Sequence, residues 1–528
     1  MSMQNKNFNL IVFIAIIVFI NLVSLSVFTR LDFSKGNIYS LADASKKAVE
    51  NLEDRLVVKA YFSENLPGQY ADAKRYTRDL LSEYQAYSHG KLSYEFVDPA
   101  DEQELKQEAR KNQIFPISMR VVENDKLEIR EVYMGLAFMY QGETEAIPII
   151  ENTRGLEYEV TSKIKKITSQ GLKKLAFFQT ENLDTPAIPQ MQQRNPNDNL
   201  STIRQLLSES YELQKTDLSE KIAPETDVLV FTGVNDSLNT QQLYNFDQFV
   251  MNGGNVVLLQ DRVEVNLQQQ RASMINSNIF DLLRHYGIHI KNNLVTDAQC
   301  GQVQVQRQQG IFRMATPVKY PLFPVITNVN EDNLMVKNLD QMQMIYVSEI
   351  DTTHVASDLE VTPLLFTSEN SGEIRGPRYN ININQYMQAD LKQMFQDSPK
   401  VVAAMYSGSF QSYFADNAAY PEARKSVKDA KIVVLPDSQF ITDDAGAGAQ
   451  PNLDFVQNAV DYLASESALI EIRSRGTEYR PLKEIPTSAR KIVKWINILL
   501  PSLLLIIFGI LHYRAELKRR KYIGELYE

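Results

Sequence analysis

The sequence predicts an α/β protein in which two extracytoplasmic domains lie between two single transmembrane helices. Short apolar strands alternate with amphipathic helices along most of the 528 residues, which is the pattern of layered α/β folds. A long apolar stretch stands near each end of the chain. The mean hydropathy of −0.28 excludes a polytopic transporter, because many apolar spans would raise this value well above zero.

Charge and cysteine content exclude several classes of protein. The net charge of −10 argues against nucleic acid as a partner, because phosphate binding requires a basic surface. Cys300 is the sole cysteine, which rules out an intramolecular disulfide framework and a cysteine-based zinc site. No GxxxxGK[ST] motif occurs, so the chain lacks this means of binding a nucleoside triphosphate. We expect no metal and no cofactor.

The first apolar stretch, residues 8–28, predicts a transmembrane helix after a short N-terminus of residues 1–7. A run of about 21 uncharged residues covers the hydrocarbon core of a bilayer. The alternative is a cleaved signal peptide, which is disfavoured because its apolar region is normally only about 7–15 residues long. Asn21 and Ser24 are polar positions that indicate helix–helix packing, although Ser24 suits a headgroup position equally well.

The second apolar stretch, residues 495–512, predicts another transmembrane helix after a linker of residues 476–494. A buried core helix is the alternative, and the basic run in the tail, residues 513–528, argues against it. Asn497 and Ser502 are its candidate helix-packing positions, with a headgroup position the alternative for Asn497. The tail has more Lys and Arg than the linker end, so the positive-inside rule predicts an inner-membrane protein with both termini cytoplasmic and its main domains periplasmic.

Residues 32–170 predict a first domain that begins with the order β-α-β-α-β-β and ends with a closing helix. The predicted strands are residues 55–62, 92–97, 117–122, 127–139 and 145–150, and the predicted helices are residues 70–86, 102–112 and 157–168. This order, with Pro116 entering the third strand, is thioredoxin-like. The loop 63–67 contains no thiol, and thiol–disulfide exchange requires a thiolate. The domain is therefore expected to be a scaffold or a peptide-binding module without CxxC.

Residues 173–475 predict a second α/β domain of the flavodoxin- or amidotransferase-like kind, a doubly wound and mostly parallel sheet. Continuous apolar strands at residues 175–178, 227–231, 255–259, 401–406 and 431–435 alternate with helices in part of this region, as buried parallel strands do. Residues 300–400 give no clear assignment.

Asp261, Asp437 and Ser438 are candidate ligand-binding residues because each follows a predicted parallel strand. Ligands of such sheets gather at the carboxyl ends of the strands, and these side chains could bind a glycan or a peptide. The alternative is that they cap the following helices or turns, which we favour.

The sequence predicts no catalytic residue. Cys300 and Ser409 are possible nucleophiles, but no base accompanies either residue in the sequence. His285 and His289 are four residues apart, as metal ligands on a helix often are, yet Tyr286 replaces the glutamate of a metalloprotease motif. We interpret both histidines as ordinary surface or half-buried residues.

An ordered set of short segments resembles the GldG-like auxiliary subunits of gliding-motility-type ABC transporters. The segments that carry the resemblance include residues 32–41, 94–99, 156–166, 211–219, 227–230, 251–257, 283–288, 437–438, 452–455 and 458–461. The turn after the first strand of the second domain differs, because Gln179 to Asn182 stand where such proteins often have a Gly-His-Gly-Glu-like sequence.

The resemblance implies a non-catalytic membrane-anchored subunit that works with an ABC permease and a cytosolic ATPase. Its exterior domains would bind a partner, such as a cell-envelope protein or glycan. The first alternative is an extracytoplasmic receptor for a glycan or a peptide. The second, which fits less well, is a degenerate hydrolase.

Overall fold

The structure is a computed structural model and describes residues 40–527 apart from several short gaps. The gaps are residues 65, 67, 101, 124–125, 151–152, 154, 169–171, 180–198, 267–268, 310–311, 357, 444–448 and 477–486. The chain divides into two compact units, Met1–Glu478 and Tyr479–Glu528, and we describe each unit separately.

The first unit begins with a small mixed sheet and its helices. In chain order these elements are α1 (Asp43–Glu50), β1 (Leu56–Phe62), α2 (Gly68–Tyr87), β2 (Leu92–Val97), α3 (Gln103–Lys111), β3 (Ile117–Glu123), β4 (Lys126–Val132), β5 (Met134–Tyr140), β6 (Glu143–Ile147) and α4 (Leu156–Thr168). The sheet has the order β2-β1-β5-β6, with β1 and β2 parallel and the other pairs antiparallel. Alternate residues of β1 face opposite sides of the sheet: Val58 and Ala60 pack with α1, α2 and α4, whereas Tyr61 packs with α3.

The strand predicted over residues 127–139 is two strands, β4 and β5, that meet at Tyr133. Tyr133 is buried and exchanges two hydrogen bonds with Ser63, one through the Ser63 hydroxyl and one through the Ser63 N–H, each 3.0 Å long. These bonds fix the point at which the chain leaves the β3–β4 hairpin and enters the sheet. The strand predicted after Pro116 is present as β3, and it pairs with β4 in a separate two-stranded hairpin instead of joining the four-stranded sheet.

The unit continues with a second, larger region. Its elements are β7 (Lys174–Phe178), α5 (Ser201–Ser208), β8 (Glu212–Thr216), β9 (Thr226–Phe231), α6 (Thr240–Met251), β10 (Asn255–Leu259), β11 (Val263–Asn266), β12 (Arg271–Met274), α7 (Ile279–His285), β13 (His289–Ile290), β14 (Asn293–Asp297), β15 (Cys300–Gln309), β16 (Phe312–Ile326), β17 (Asn328–Val329), β18 (Met342–Gln343), β19 (Ile350–Asp351), β20 (Leu359–Phe366), β21 (Ser371–Arg375), α8 (Leu391–Met394), β22 (Val401–Gln411), β23 (Ser426–Leu435), α9 (Gln450–Leu463) and α10 (Ser467–Gly476), with 3-10 turns at Ile383–Tyr386 and Ser438–Ile441.

An eight-stranded sheet of order β17-β20-β22-β23-β10-β9-β7-β8 forms the centre of this region. The strands from β23 to β8 are parallel, and β22, β20 and β17 extend the sheet in antiparallel fashion. Helices α5 and α9 cover one face, and α6 and α7 cover the other. Residues Val256 to Leu259 of β10 are all fully buried, as expected for a strand that is covered on both faces. The predicted mixed α/β character is confirmed.

The second unit is described as a single helix, α11 (Thr487–Tyr527), of 41 residues. Many of its large apolar side chains are exposed, among them Trp495, Ile496, Leu499, Leu500, Leu505, Ile506, Ile507, Phe508, Ile510, Leu511 and Tyr513.

The prediction of two flanking transmembrane helices is wrong. Across the described part of the chain, no helix combines the length and the apolarity that crossing a membrane requires. Residues 495–512 lie within α11. Residues 8–28 lie outside the described residues. The predicted two-span inner-membrane localisation, with both termini cytoplasmic and the main domains periplasmic, is wrong for the same reason.

Candidate functional site

The carboxyl edge of the parallel strands brings the three predicted site residues together. Asp261 follows β10, and Asp437 and Ser438 follow the adjacent β23. Ser438 donates its backbone N–H to Asp261 Oδ1 (2.7 Å) and its hydroxyl to Asp261 Oδ2 (2.5 Å). Asp437 is fully buried, and its Oδ2 accepts a hydrogen bond of 2.6 Å from the N–H of Ile345. The side chain of Asp437 makes no well-aligned capping bond to the turn Ser438–Ile441, although the N–H groups of Gln439 and Phe440 lie close enough to oppose the rise of its pKa. The capping interpretation of these residues stays a prediction.

Burial raises the pKa of both carboxyl groups in this cluster. The pKa of Asp437 lies well above its ordinary value because the group is buried and because the Asp261 charge stands nearby. Burial also raises the pKa of Asp261, while its hydrogen bonds from Ser438 oppose this rise. Ionising both neighbouring carboxyls is costly, so the pair retains a proton to higher pH than exposed aspartates do. Within the described residues, Asp437 Oδ1 has no well-aligned hydrogen-bond partner.

Close packing surrounds the two carboxylates. Gly233, which follows β9, has a φ of +86°, and a Cβ at this position would lie 2.7 Å from the carbonyl oxygen of Leu259 and 3.3 Å from the Cβ of Ser438. Gln260 is buried and binds both the N–H and the carbonyl oxygen of Val234. The cluster thus connects the carboxyl ends of β9, β10 and β23. A ligand-binding role for Asp261, Asp437 and Ser438 stays a prediction.

The two possible nucleophiles lie in separate strands. Cys300 is half-buried at the start of β15, where burial raises the pKa of its thiol to about 11 despite the nearby Lys319 charge. A raised pKa suppresses the reactive thiolate at neutral pH. Ser409 lies in β22, and its N–H donates to the carbonyl oxygen of Asp358.

The two histidines lie at opposite ends of a short helix–strand connection. His285 ends α7 and makes a hydrogen bond of 3.1 Å through Nε2 to the carbonyl oxygen of Ser412, and His289 begins β13. In the segments that the structure describes, no group of three or more His, Cys, Asp or Glu side chains is placed to hold a metal ion. Of the predicted helix-packing residues, Asn497 is exposed on α11 and Ser502 lies in the same helix, whereas Asn21 and Ser24 lie outside the described residues.

A cavity of about 800 Å³ lies elsewhere in the first unit, where the sequence predicts no site. It is lined by β12, by the start of β14 and by β21 with the loop after it: Ala272, Ser273, Met274, Asn276, Lys291, Asn292, Asn293, Glu373, Arg375, Gly376, Pro377 and Tyr379. Its size is within the range of ligand-binding pockets, roughly 300–1,000 Å³. Sequence reasoning missed the cavity because three separate segments form it, one of them within residues 300–400.

The comparisons with known proteins concern both parts of the first unit. A family described as "ABC-type uncharacterized transport system", an auxiliary component family, matches residues 172–465, more than half of the chain. The chain belongs to this family. Its matched region includes the eight-stranded sheet, the carboxylate cluster and the cavity. A second family, described as a domain of unknown function, matches residues 35–139.

One relative and one solved structure are similar to this member of the auxiliary family. An uncharacterized protein of Borreliella burgdorferi is 21% identical, and the alignment covers 98% of this chain and 100% of the relative. A structure titled "mmIFT52 N-terminal domain" is 12% identical and covers 55% of this chain and 97% of its own, with a TM-score of 0.31. A score this low does not establish a common fold. The family places the chain with transport-system auxiliary components.

Proposed function

We propose that this protein is a non-catalytic auxiliary subunit of an ABC transport system and binds a partner subunit of that system through α11. Family membership supports the association with a transport system, and the exposed apolar surface of α11 supports the partner contact. The gliding-motility type of the system and the identity of the partners as a permease and an ATPase are also part of this proposal. They are supported by the resemblance of segments such as residues 94–99, 156–166 and 251–257.

The exposed side chains of α11 are the observation that carries the proposal. Leu505, Ile506 and Phe508 are 72%, 62% and 68% exposed. Successive residues of a helix point about 100° apart, so these neighbours present apolar surface in several directions. A helix that is apolar on several sides normally packs against other elements, and large exposed apolar patches mark interaction sites. Helices of a partner subunit would bury this surface.

Affinity purification of the tagged full chain from its native cells, in mild detergent, tests the proposal. The wild-type chain should recover an ABC permease and an ATPase, and the double substitution Leu505→Ser and Phe508→Ser should abolish their recovery. Met394→Ser is the matched control, because Met394 is also exposed (48%) but lies in α8. Recovery of the chain alone would contradict the transport role. Equal recovery with the α11 variant would contradict only the helix contact.

A further inference from the structure

The cavity beside β12 has an unpaired strand edge as one wall. Ala272, Ser273 and Met274 are consecutive, and side chains of consecutive strand residues point to opposite faces. All three can line one cavity only if it runs along the edge of the strand. Among the described residues, β12 pairs with β11 alone, so no strand occupies this edge.

The register of β11 and β12 shows which backbone groups point into this edge. The N–H of Ile275 donates to the carbonyl oxygen of Arg262, so this pair is hydrogen-bonded and the pairs alternate from there. Val265 and Ala272, like Val263 and Met274, are therefore non-hydrogen-bonded pairs. The N–H and carbonyl groups of Ala272 and Met274 point away from β11, which is the arrangement that accepts an added strand.

Charged groups at the cavity have an excess of positive charge. Arg262 is only 8% exposed; its guanidinium bonds to Asn292 Oδ1 and to the carbonyl oxygen of Ile275, and no carboxylate of the described residues lies within ion-pair distance of it. The charged side chains that line the cavity are Lys291, Arg375 and Glu373. Lys291 pairs with Glu349 at 2.7 Å and Arg375 pairs with Glu373, so Arg262, which bonds to the lining residue Asn292, leaves this group with one net positive charge.

Tyr379 adds a buried polar group that lacks a partner. Its side chain lines the cavity and is 8% exposed, and its hydroxyl has no hydrogen-bond partner in the described segments. The hydroxyl oxygen is itself enclosed, so it belongs to the wall beside the cavity and is not offered to a ligand. The hydroxyl also packs closely against Gly376, where an added Cβ would lie 2.6 Å from it.

We propose that this cavity binds an extended peptide segment of a partner protein that pairs with β12 and carries one carboxylate. The backbone of Ala272 and Met274 would pair with the segment, and the exposed cations Lys291 and Arg375 would attract its carboxylate. A four-residue strand is about 13 Å long, so the segment that pairs with it has about four residues. The inference does not depend on the transport role, because it rests on the cavity alone.

Isothermal titration calorimetry with the full chain tests the site. The probe is the N-acetylated tetrapeptide Val-Thr-Val-Thr with a free carboxyl terminus, whose β-branched residues favour the extended form. It should bind about tenfold more tightly than the same peptide with an amidated terminus, because charge-assisted hydrogen bonds to the carboxylate are lost on amidation. Absence of binding at about 1 mM peptide, equal affinity of the two peptides, or tighter binding of glucuronate would overturn the proposal.

Two variants locate the binding in the cavity, and a third is their control. Arg375→Gln should weaken binding of the carboxylate peptide, and because Arg375 is 80% exposed the change leaves the fold intact. Ala272→Pro removes an outward N–H that β11 does not use, so it should weaken both peptides. Tyr406→Phe, which removes a buried unpartnered hydroxyl in another core, is the control and should leave both affinities unchanged. Unchanged affinity in Arg375→Gln and Ala272→Pro would refute the site.

Discussion

Replacement of Arg473 by Met should destabilise the first unit by about 3–5 kcal/mol, the usual cost of breaking a buried ion pair. Arg473 lies in α10. Its side chain is 6% exposed, and the side chain of its partner Asp461 is 1% exposed. Its Nη2 donates to Asp461 Oδ2 at 2.8 Å, and its Nη1 donates to Asn458 Oδ1. Its guanidinium also lies 4.2 Å from the ring centre of Tyr158 in α4. One cation therefore connects α10 with α9 and with the helix that covers the small sheet.

The cost follows from what the substitution leaves behind. Met fills much of the space of the arginine stem and favours a helix, but it leaves the Asp461 carboxylate buried. Among the described residues, its remaining side-chain hydrogen bond is then the one from the Tyr211 hydroxyl, at 2.7 Å. Loss of the contact with Tyr158 adds up to about 2 kcal/mol, the value of a desolvated cation–π pair.

The loss of stability caused by Arg473→Met should increase as pH rises. Burial raises the pKa of Asp461, and the Arg473 charge opposes this rise. Without the guanidinium, the folded-state pKa is higher still, so the variant loses stability as pH increases above the unfolded value of about 3.9. The difference between wild type and variant should therefore be larger at pH 8 than at pH 5.

Urea unfolding followed by circular dichroism measures these differences. The sole tryptophan, Trp495, lies in the second unit, so its fluorescence does not report on the first. In the double variant Arg473→Met and Asp461→Asn, the carboxylate that loses its guanidinium partner is itself absent, so the cost should be below the sum of the single costs by about 0.5–3 kcal/mol. A loss under about 1 kcal/mol, as for a surface pair, or a loss that is independent of pH would refute the reasoning.

Three further predictions concern the strand ends and the cysteine. Asp437→Asn should become more stable relative to wild type as pH rises, because the raised folded-state pKa makes wild type lose stability above the unfolded value of about 3.9; equal differences in urea midpoint at pH 5 and pH 8 would contradict this. Gly233→Ala should cost about 1–3 kcal/mol more than Gly253→Ala in urea unfolding, because both have positive φ but only the Cβ at Gly233 meets neighbouring atoms; equal costs would count against the packing argument. The thiol of Cys300, with its pKa near 11, should react with iodoacetamide at pH 7.5 about 100-fold more slowly in the native chain than in urea, and similar rates would show that burial does not control it.

Five strands of the large sheet, β7, β9, β10, β22 and β23, could be predicted because their signal is local, whereas β17 and β20 lie in the region without a clear assignment. Residues 255–259 form a continuous apolar run in the sequence, and β10 has the same bounds. A strand covered on both faces needs apolar residues at every position, so the run itself predicts it. The division of residues 127–139 at Tyr133 has no such signal. It depends on hydrogen bonds to Ser63, a residue 70 positions earlier in the chain.

The carboxylate cluster was found from a rule about sheets rather than from a motif. Parallel strands end at the same edge, and this was enough to place Asp261, Asp437 and Ser438 at one edge of the sheet; that β10 and β23 are neighbours is seen only in the structure. The rule does not say what lies between those side chains. Ser438 donates hydrogen bonds to both carboxylate oxygens of Asp261. The two residues are 177 positions apart in the chain, so no local sequence pattern predicts this contact.

The cavity beside β12 shows a more general limit of sequence patterns. Hydrophobic periodicity reports which face of a strand is covered, because side chains carry that signal. Whether an edge is covered depends on backbone N–H and carbonyl groups, which every residue except proline has in the same form. The sequence Arg-Ala-Ser-Met of β12 would therefore be unchanged whether another strand or a peptide segment lay beside it. An unpaired edge can be recognised only once every neighbour of the strand is known, and side-chain substitutions that leave the backbone intact cannot remove it.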